Sequence, residues 1–174
     1  PIKNFIQFQI ERFIYYMYTF KKYKTLKDKV KKNITFWIKD SLNEYGKNGI
    51  LIGNGINLSR DMVNEPSNIM NSNKILSVIK KNLAKKIKLD VIEENKLRKD
   101  GFNLILSVNN ASKNKPYLLV LKYLPLKNKK PCVLIGKGVT FDNGGTNLKF
   151  GSFHDMKTDM TGAPVVFSTI NLLA

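Results

Sequence analysis

The sequence is poor in the residues that build most metal, redox and phosphate sites. It has one cysteine, Cys132, one histidine, His154, one tryptophan, Trp37, and only three arginines. A single cysteine excludes an intrachain disulfide and suits a reducing compartment. Lying in the apolar run Pro131–Ile135, Cys132 is expected to pack in the core. One histidine rules out the usual His- and Cys-based zinc sites, and His154 itself reads as a surface residue of a polar loop. Carboxylates are also scarce: 13 Asp and Glu against 30 Lys and Arg give a net charge of +17. Such an excess raises nucleic acid or an anionic membrane as partner. With 27 Lys, 20 Asn and 3 Arg, however, the charge is scattered and lacks the residue preferred for bidentate phosphate and guanine contacts. The lysines are therefore read as solvated surface. No apolar run approaches the roughly 20 residues of a membrane span, and the N-terminal FIQFQIERFIYYMYTF is broken by Gln7, Gln9, Glu11 and Arg12. It has neither the cationic start nor the cleavage site of a signal peptide. Starting at proline and stopping inside an apolar helical pattern, the sequence reads as a fragment of a longer protein.

What is present is periodicity. Ile6, Ile10, Phe13, Met17 and Phe20 mark one helical stripe. Leu42, Tyr45, Gly49, Ile52, Ile56, Ser59 and Val63 mark a second, longer one, which ends near Pro66. Both stripes are read as core, and Gly46, Gly49, Gly53 and Gly55 imply close packing of the second helix. Between them, Lys21–Lys32 reads as a connection and Ile34–Ile38 as a short β-like patch. Asn71 or Ser72 caps a helix bearing Ile75, Ile79 and Leu83. Leu89–Ile92 is strand-like, and Glu93–Asp100 is a short helix stopped by Gly101. Asn103–Val108, Tyr117–Tyr123 and Pro131–Ile135 read as strands, the last two apolar enough to be central in a sheet. Helical texture returns over Thr158–Ala174. The fold class is α/β, with a charged glycine loop at the carboxyl end of a strand, where open α/β sheets place ligands.

That loop, GKGVTFDNGGTNLK from Gly136 to Lys149, is followed by MKTDMTG from Met156 to Gly162. It does not match the Walker pattern, and no GxGxxG with a following acidic residue occurs. Its glycines permit tight backbone approaches, and Asp142 and Asp159 supply hard oxygen donors for a divalent cation.

The two stretches resemble the metal-binding signature of the leucyl aminopeptidase family, peptidase family M17. NLSRDMVNEPSNI, Asn57–Ile69, is similar to the stretch where that family's catalytic domain begins, and YTFKKYKT, Tyr18–Thr25, to the segment closing its N-terminal domain. The resemblance implies a metal-dependent aminopeptidase that removes N-terminal, leucine-type residues from peptides. In it, Lys137 is a neutral-amine metal ligand, Asp142 bridges two divalent ions, Asp159 is a further ligand, and Lys149 keeps its proton and polarises the scissile carbonyl. The implied ions are Zn or Mn, or else Mg, with bicarbonate as base in the complete site. Residues 1–40 correspond to the end of an N-terminal α/β domain. Residues 41–174 correspond to a linker helix and the first part of a mixed-sheet α/β/α catalytic domain. The family's hexameric assembly and cytoplasmic location are implied with these.

Two departures stand out. The stretch from Lys149 to Asp159 is one residue longer than the family pattern and contains FGSFHD, which makes Asp155 a competing candidate. The family's downstream NTDAEGR block is absent, so the sequence carries about half of a catalytic site. The alternative reading is a truncated or non-catalytic family member acting as a binding protein, with nucleic acid as a disfavoured partner.

Overall fold

The computed structural model describes residues 2–25, 34–126, 128–145, 147–151 and 153–174. These fall into two units, 1–61 and 62–174, each described in turn. Much of the expected Lys21–Lys32 connection, from residue 26 on, lies outside the described residues.

In the first unit, α1 (Ile2–Tyr16) packs on the first part of α2 (Asn43–Asn64). The glycines of α2 are what permit it. A Cβ at Gly49 would fall 2.6 Å from the Gln7 carbonyl oxygen, and one at Gly53 would fall 2.8 Å from Ile14 Cβ. The contact line is therefore narrow and aliphatic. Of the expected stripe on α1 only Ile10 is buried, while Phe13 and Met17 are exposed and the helix stops at Tyr16, before Met17 and Phe20. The reading of that stripe as core is corrected accordingly. Backbone contact at glycine leaves no cleft for wide aromatic rings.

Arg60 and Asp61 join the two helices at the end of α1. The Arg60 guanidinium donates to the Tyr15 carbonyl oxygen at 2.8 Å and lies over the Tyr15 and Tyr18 rings, 4.5 and 4.0 Å from their centroids. The Tyr18 hydroxyl donates to Asp61 at 2.8 Å. Ile34–Ile38 forms no strand, and Trp37 is exposed. An extended segment becomes a strand only with a hydrogen-bonded neighbour, and none among the described residues pairs with it.

In the second unit, Asn71 caps α3 (Ser72–Asn82) by accepting the Lys74 amide hydrogen at 3.1 Å, and Ile75 and Ile79 are buried. β1 (Lys88–Glu93) and β2 (Tyr117–Lys122) pair antiparallel, with Leu89 opposite Leu121 and Val91 opposite Leu119. Between them lie α4 (Glu94–Lys99), which ends before Gly101 at φ +77°, and α5 (Asn103–Asn109). The core joins Met62, Met70, Ile79, Ile87, Leu97, Met160 and Phe167. A 3-10 helix (Phe153–Met160) leads into α6 (Gly162–Leu173). Near the end of α6, Asn171 donates to the Asn82 carbonyl and accepts the Ala84 amide hydrogen, anchoring it to the exit of α3.

Three expectations need correction here. Asn103–Val108 is helix, not strand. Ile105, Leu106 and Asn109 are its half-buried positions, a helical spacing that a short apolar run conceals. Pro131–Ile135 forms no strand among the described residues, and Val133 and Ile135 are 73% and 91% exposed. Cys132 is likewise exposed rather than in the core. The sheet of the described residues is thus two antiparallel strands, and the mixed α/β class holds with fewer strands than the apolar runs imply.

Candidate functional site

The charged loop, beneath which no strand lies among the described residues, is held by the start of α6. The Ala163 amide donates to the Lys137 carbonyl oxygen at 2.8 Å. Two glycines allow the two backbones to meet. A Cβ on Gly136 would fall 2.3 Å from the Gly162 carbonyl oxygen, and one on Gly162 would fall 2.8 Å from the Lys137 nitrogen. No other residue fits at either position without moving the backbone. This contact sets Lys137 beside the 3-10 helix, where its Nζ lies 3.6 Å from an Asp159 oxygen.

Further along, the loop closes on Asp142. One carboxylate oxygen accepts the Gly144 amide hydrogen at 2.8 Å and the other faces Lys149 Nζ at 2.9 Å. The Lys149 amide also donates to the Asn143 carbonyl at 2.9 Å, so both ends of this residue are fixed. Gly144 adopts φ +88°, a region that side-chain-bearing residues rarely enter. The hydrogen bond from Lys149 holds the Asp142 carboxyl below the usual carboxylate range, followed by the Gly144 amide and then the charges of Lys149 and Lys137. Desolvation acts in the opposite direction, less than the two hydrogen bonds and more than either lysine charge.

Lys149, Asp142, Lys137 and Asp159 therefore form a row of alternating charge. The Lys137 ammonium pairs with Asp159 and its field reaches Asp142. The two carboxylates are hard oxygen donors of the kind a divalent cation takes. The donor set is partial, since among the described residues no three His, Cys, Asp or Glu residues are arranged to hold a metal ion. Asp155 is not in the row: it lies 3.4 Å from His154, and both are exposed.

Sequence reasoning overlooked Lys157, whose Nζ donates to the Asn64 carbonyl at 3.0 Å and ties the 3-10 helix to the exit of α2. Its place inside MKTDMTG was the available signal. It also overlooked the Gly136–Gly162 contact, signalled only by two glycines 26 positions apart. Elsewhere, a hollow of about 140 Å³ lined by Glu94, Arg98, Asn109 and Lys113 among others shares no residue with the loop. It is smaller than ordinary ligand sites.

Comparison with known proteins bears on the family. The model of the cytosol aminopeptidase family, catalytic domain, matches residues 57–174. A probable cytosol aminopeptidase of Phytoplasma australiense is 37% identical over 164 residues, covering 90% of this chain and 33% of the relative. The cytosol aminopeptidase of Haemophilus influenzae strain Rd is 43% identical over 129 residues, covering 71% and 26%. Among solved structures, the cytosol aminopeptidase of Coxiella burnetii superposes with TM-score 0.76 at 25% identity, over 98% of this chain and 36% of that one. The bottromycin maturation enzyme BotP in complex with Mn gives 0.79 at 25% identity, over 99% and 37%. The chain thus spans about a third or less of the length of the curated relatives it matches. With the family's catalytic-domain model covering 57–174 and both signature stretches inside that range, this chain belongs to the cytosol aminopeptidase family.

Proposed function

We propose that the chain is part of a metal-dependent aminopeptidase that hydrolyses N-terminal residues, with leucine-type preference, from peptides through a two-metal site. The observation that carries this reading is the alternating row Lys149–Asp142–Lys137–Asp159. In this reading Lys137, Asp142 and Asp159 would hold the divalent ions. Lys137 binds as a neutral amine, which a nearby dication favours by opposing the ammonium form. Divalent ions at such a site acidify water and polarise a carbonyl. Lys149 stays protonated. Its ammonium is released from Asp142 to donate to the scissile carbonyl oxygen and stabilise the charge that develops there. The backbone bond from the Lys149 amide to Asn143 keeps this lysine at the loop.

The remaining donors, and the bicarbonate that serves as base, belong to family segments absent from this sequence. Residues 1–40 are then the end of an N-terminal domain, and 41–174 the linker helix and the start of the catalytic domain. Zn, Mn or Mg, a cytoplasmic hexamer and peptide substrates complete the reading. Among the described residues no helix is long and apolar enough to cross a membrane.

The test is a protein containing this sequence together with the family's downstream block. It should release N-terminal leucine from peptides, lose that activity in chelator and regain it with Zn or Mn. Undiminished turnover after exhaustive metal removal would refute the proposal.

A further inference from the structure

Three Asn-Gly dipeptides occur in the sequence: Asn48–Gly49, Asn54–Gly55 and Asn143–Gly144. Asn-Gly is the dipeptide most open to intramolecular attack, because glycine has no Cβ to obstruct approach of its nitrogen to the preceding side-chain amide. The first two lie inside α2, and the third lies in the charged loop. Exposure does not separate them, since Asn54 and Asn143 are both exposed. Backbone state does. In a helix interior the helical dihedrals, locked by the backbone ladder, hold the glycine nitrogen away from the preceding asparagine amide. In the loop, Gly144 sits at φ +88° and the Asn143 side-chain oxygen accepts the Gly145 amide hydrogen at 3.0 Å. That hydrogen bond draws electron density from the amide carbon. The Gly144 nitrogen donates its hydrogen to the Asp142 carboxylate at 2.8 Å, the atom from which that proton must depart.

We propose that Asn143–Gly144 is a self-modification site, at which the protein converts its own asparagine to aspartate and isoaspartate. The Gly144 nitrogen, giving its proton to solvent base, bonds to Asn143 Cγ. The bond between Asn143 Cγ and Nδ2 breaks and ammonia leaves, taking up a proton from water. The cyclic imide so formed adds water at either carbonyl, giving aspartate or isoaspartate at 143. Net, one amide and one water become one carboxylate and one ammonium, with no other reactant. The isoaspartate product lengthens the backbone between Asp142 and Gly144 by a methylene. It thereby shifts the Gly144 amide relative to the Asp142 carboxylate it now bonds, and it adds a negative charge beside the row. The loop carries a chemical clock on its own integrity, whatever reaction the row serves.

Peptide mapping by mass spectrometry of the purified protein, aged at mildly alkaline pH and sampled over days, tests this. Site occupancy is read at all three asparagines, and a parallel sample is aged in denaturant. The folded protein should convert Asn143 about tenfold or more faster than Asn48 or Asn54, because a helix opening that costs ~1.4 kcal/mol already suppresses a reaction tenfold. In denaturant the three rates should converge. Isoaspartate should appear at 143, and Asn143→Gln should remove the signal there without altering the other two. Equal rates at all three sites in the folded protein would overturn the proposal, as would an unmodified Asn143 in a sample whose denatured counterpart reacts. Because the readout is mass and not turnover, neither result bears on the aminopeptidase reading.

Discussion

Lys149 and Asp142 are joined twice over: Nζ lies 2.9 Å from one carboxylate oxygen, while the Lys149 amide is bonded to the carbonyl of the next residue, Asn143. On the proposed reading the side-chain half of this link is exchanged for a substrate, while the backbone half keeps the lysine in place. Lys149→Met in the complete enzyme should therefore leave metal content intact and slow turnover. Loss of one electrostatic donor costs on the order of 100- to 1000-fold. Metal analysis alongside kcat separates the two effects, and a loss below about tenfold would count against the role of Lys149.

Asp142→Asn should be worse, because it removes the charge that offsets the ions as well as the acceptor of Lys149. Failed metal binding should accompany lost turnover. His154→Ala is the control: the imidazole is exposed and lies beside the exposed Asp155, so the rate should hold within a small factor. The reverse order would remove both residues from their assigned places.

The candidate row was legible in the sequence because its chemistry is written in residue type. Lysines and carboxylates separated by glycines have few bland uses at such density, and in the structure Lys137 pairs with Asp159 and Lys149 with Asp142. What supports the row was not legible. The Gly136–Gly162 approach joins two backbones across 26 positions, and no local pattern announces it. A helix with a long period, such as α2, or with a cap, such as α3, was readable, although Leu83 falls just past the end of α3. Asn103–Val108 and Pro131–Ile135 were not, because apolar runs this short state burial without stating which partner supplies it. The first curled into α5. The second has no ladder neighbour among the described residues.

Gly49 offers a test of the helix contact in the first unit. In an exposed helix, Gly→Ala gains up to about 1 kcal/mol. Here the added methyl would meet the Gln7 carbonyl oxygen at 2.6 Å, which is backbone and cannot swing aside. Gly49→Ala should destabilise instead, by about 1–3 kcal/mol as for other overpacked positions. Urea denaturation of the two proteins decides the sign.

The isolated 174-residue chain should bind zinc weakly, since only Lys137, Asp142 and Asp159 are available and the amine must lose its proton first. Calorimetric titration measures this. Tight binding of two ions by these residues alone would mean that other side groups supply the site.

Acid should act on the loop later than on ordinary carboxylates. Asp142 is held below the usual range chiefly by the Lys149 hydrogen bond, with the Gly144 amide next. For a group whose folded pKa is depressed, the stabilisation is present above the unfolded value and is lost as pH falls through the folded one. The Lys149–Asp142 link should therefore stay intact at neutral pH and through the pH at which an exposed aspartate protonates, and give way only below it. Carboxyl-carbon NMR of Asp142 gives its midpoint directly. Lys149→Met should move that midpoint upward, toward the ordinary value, while a conservative Lys149→Arg should restore part of the depression. A midpoint unmoved by Lys149→Met would assign the depression to the Gly144 amide, and the loop would then owe its charge order to backbone rather than to the lysine.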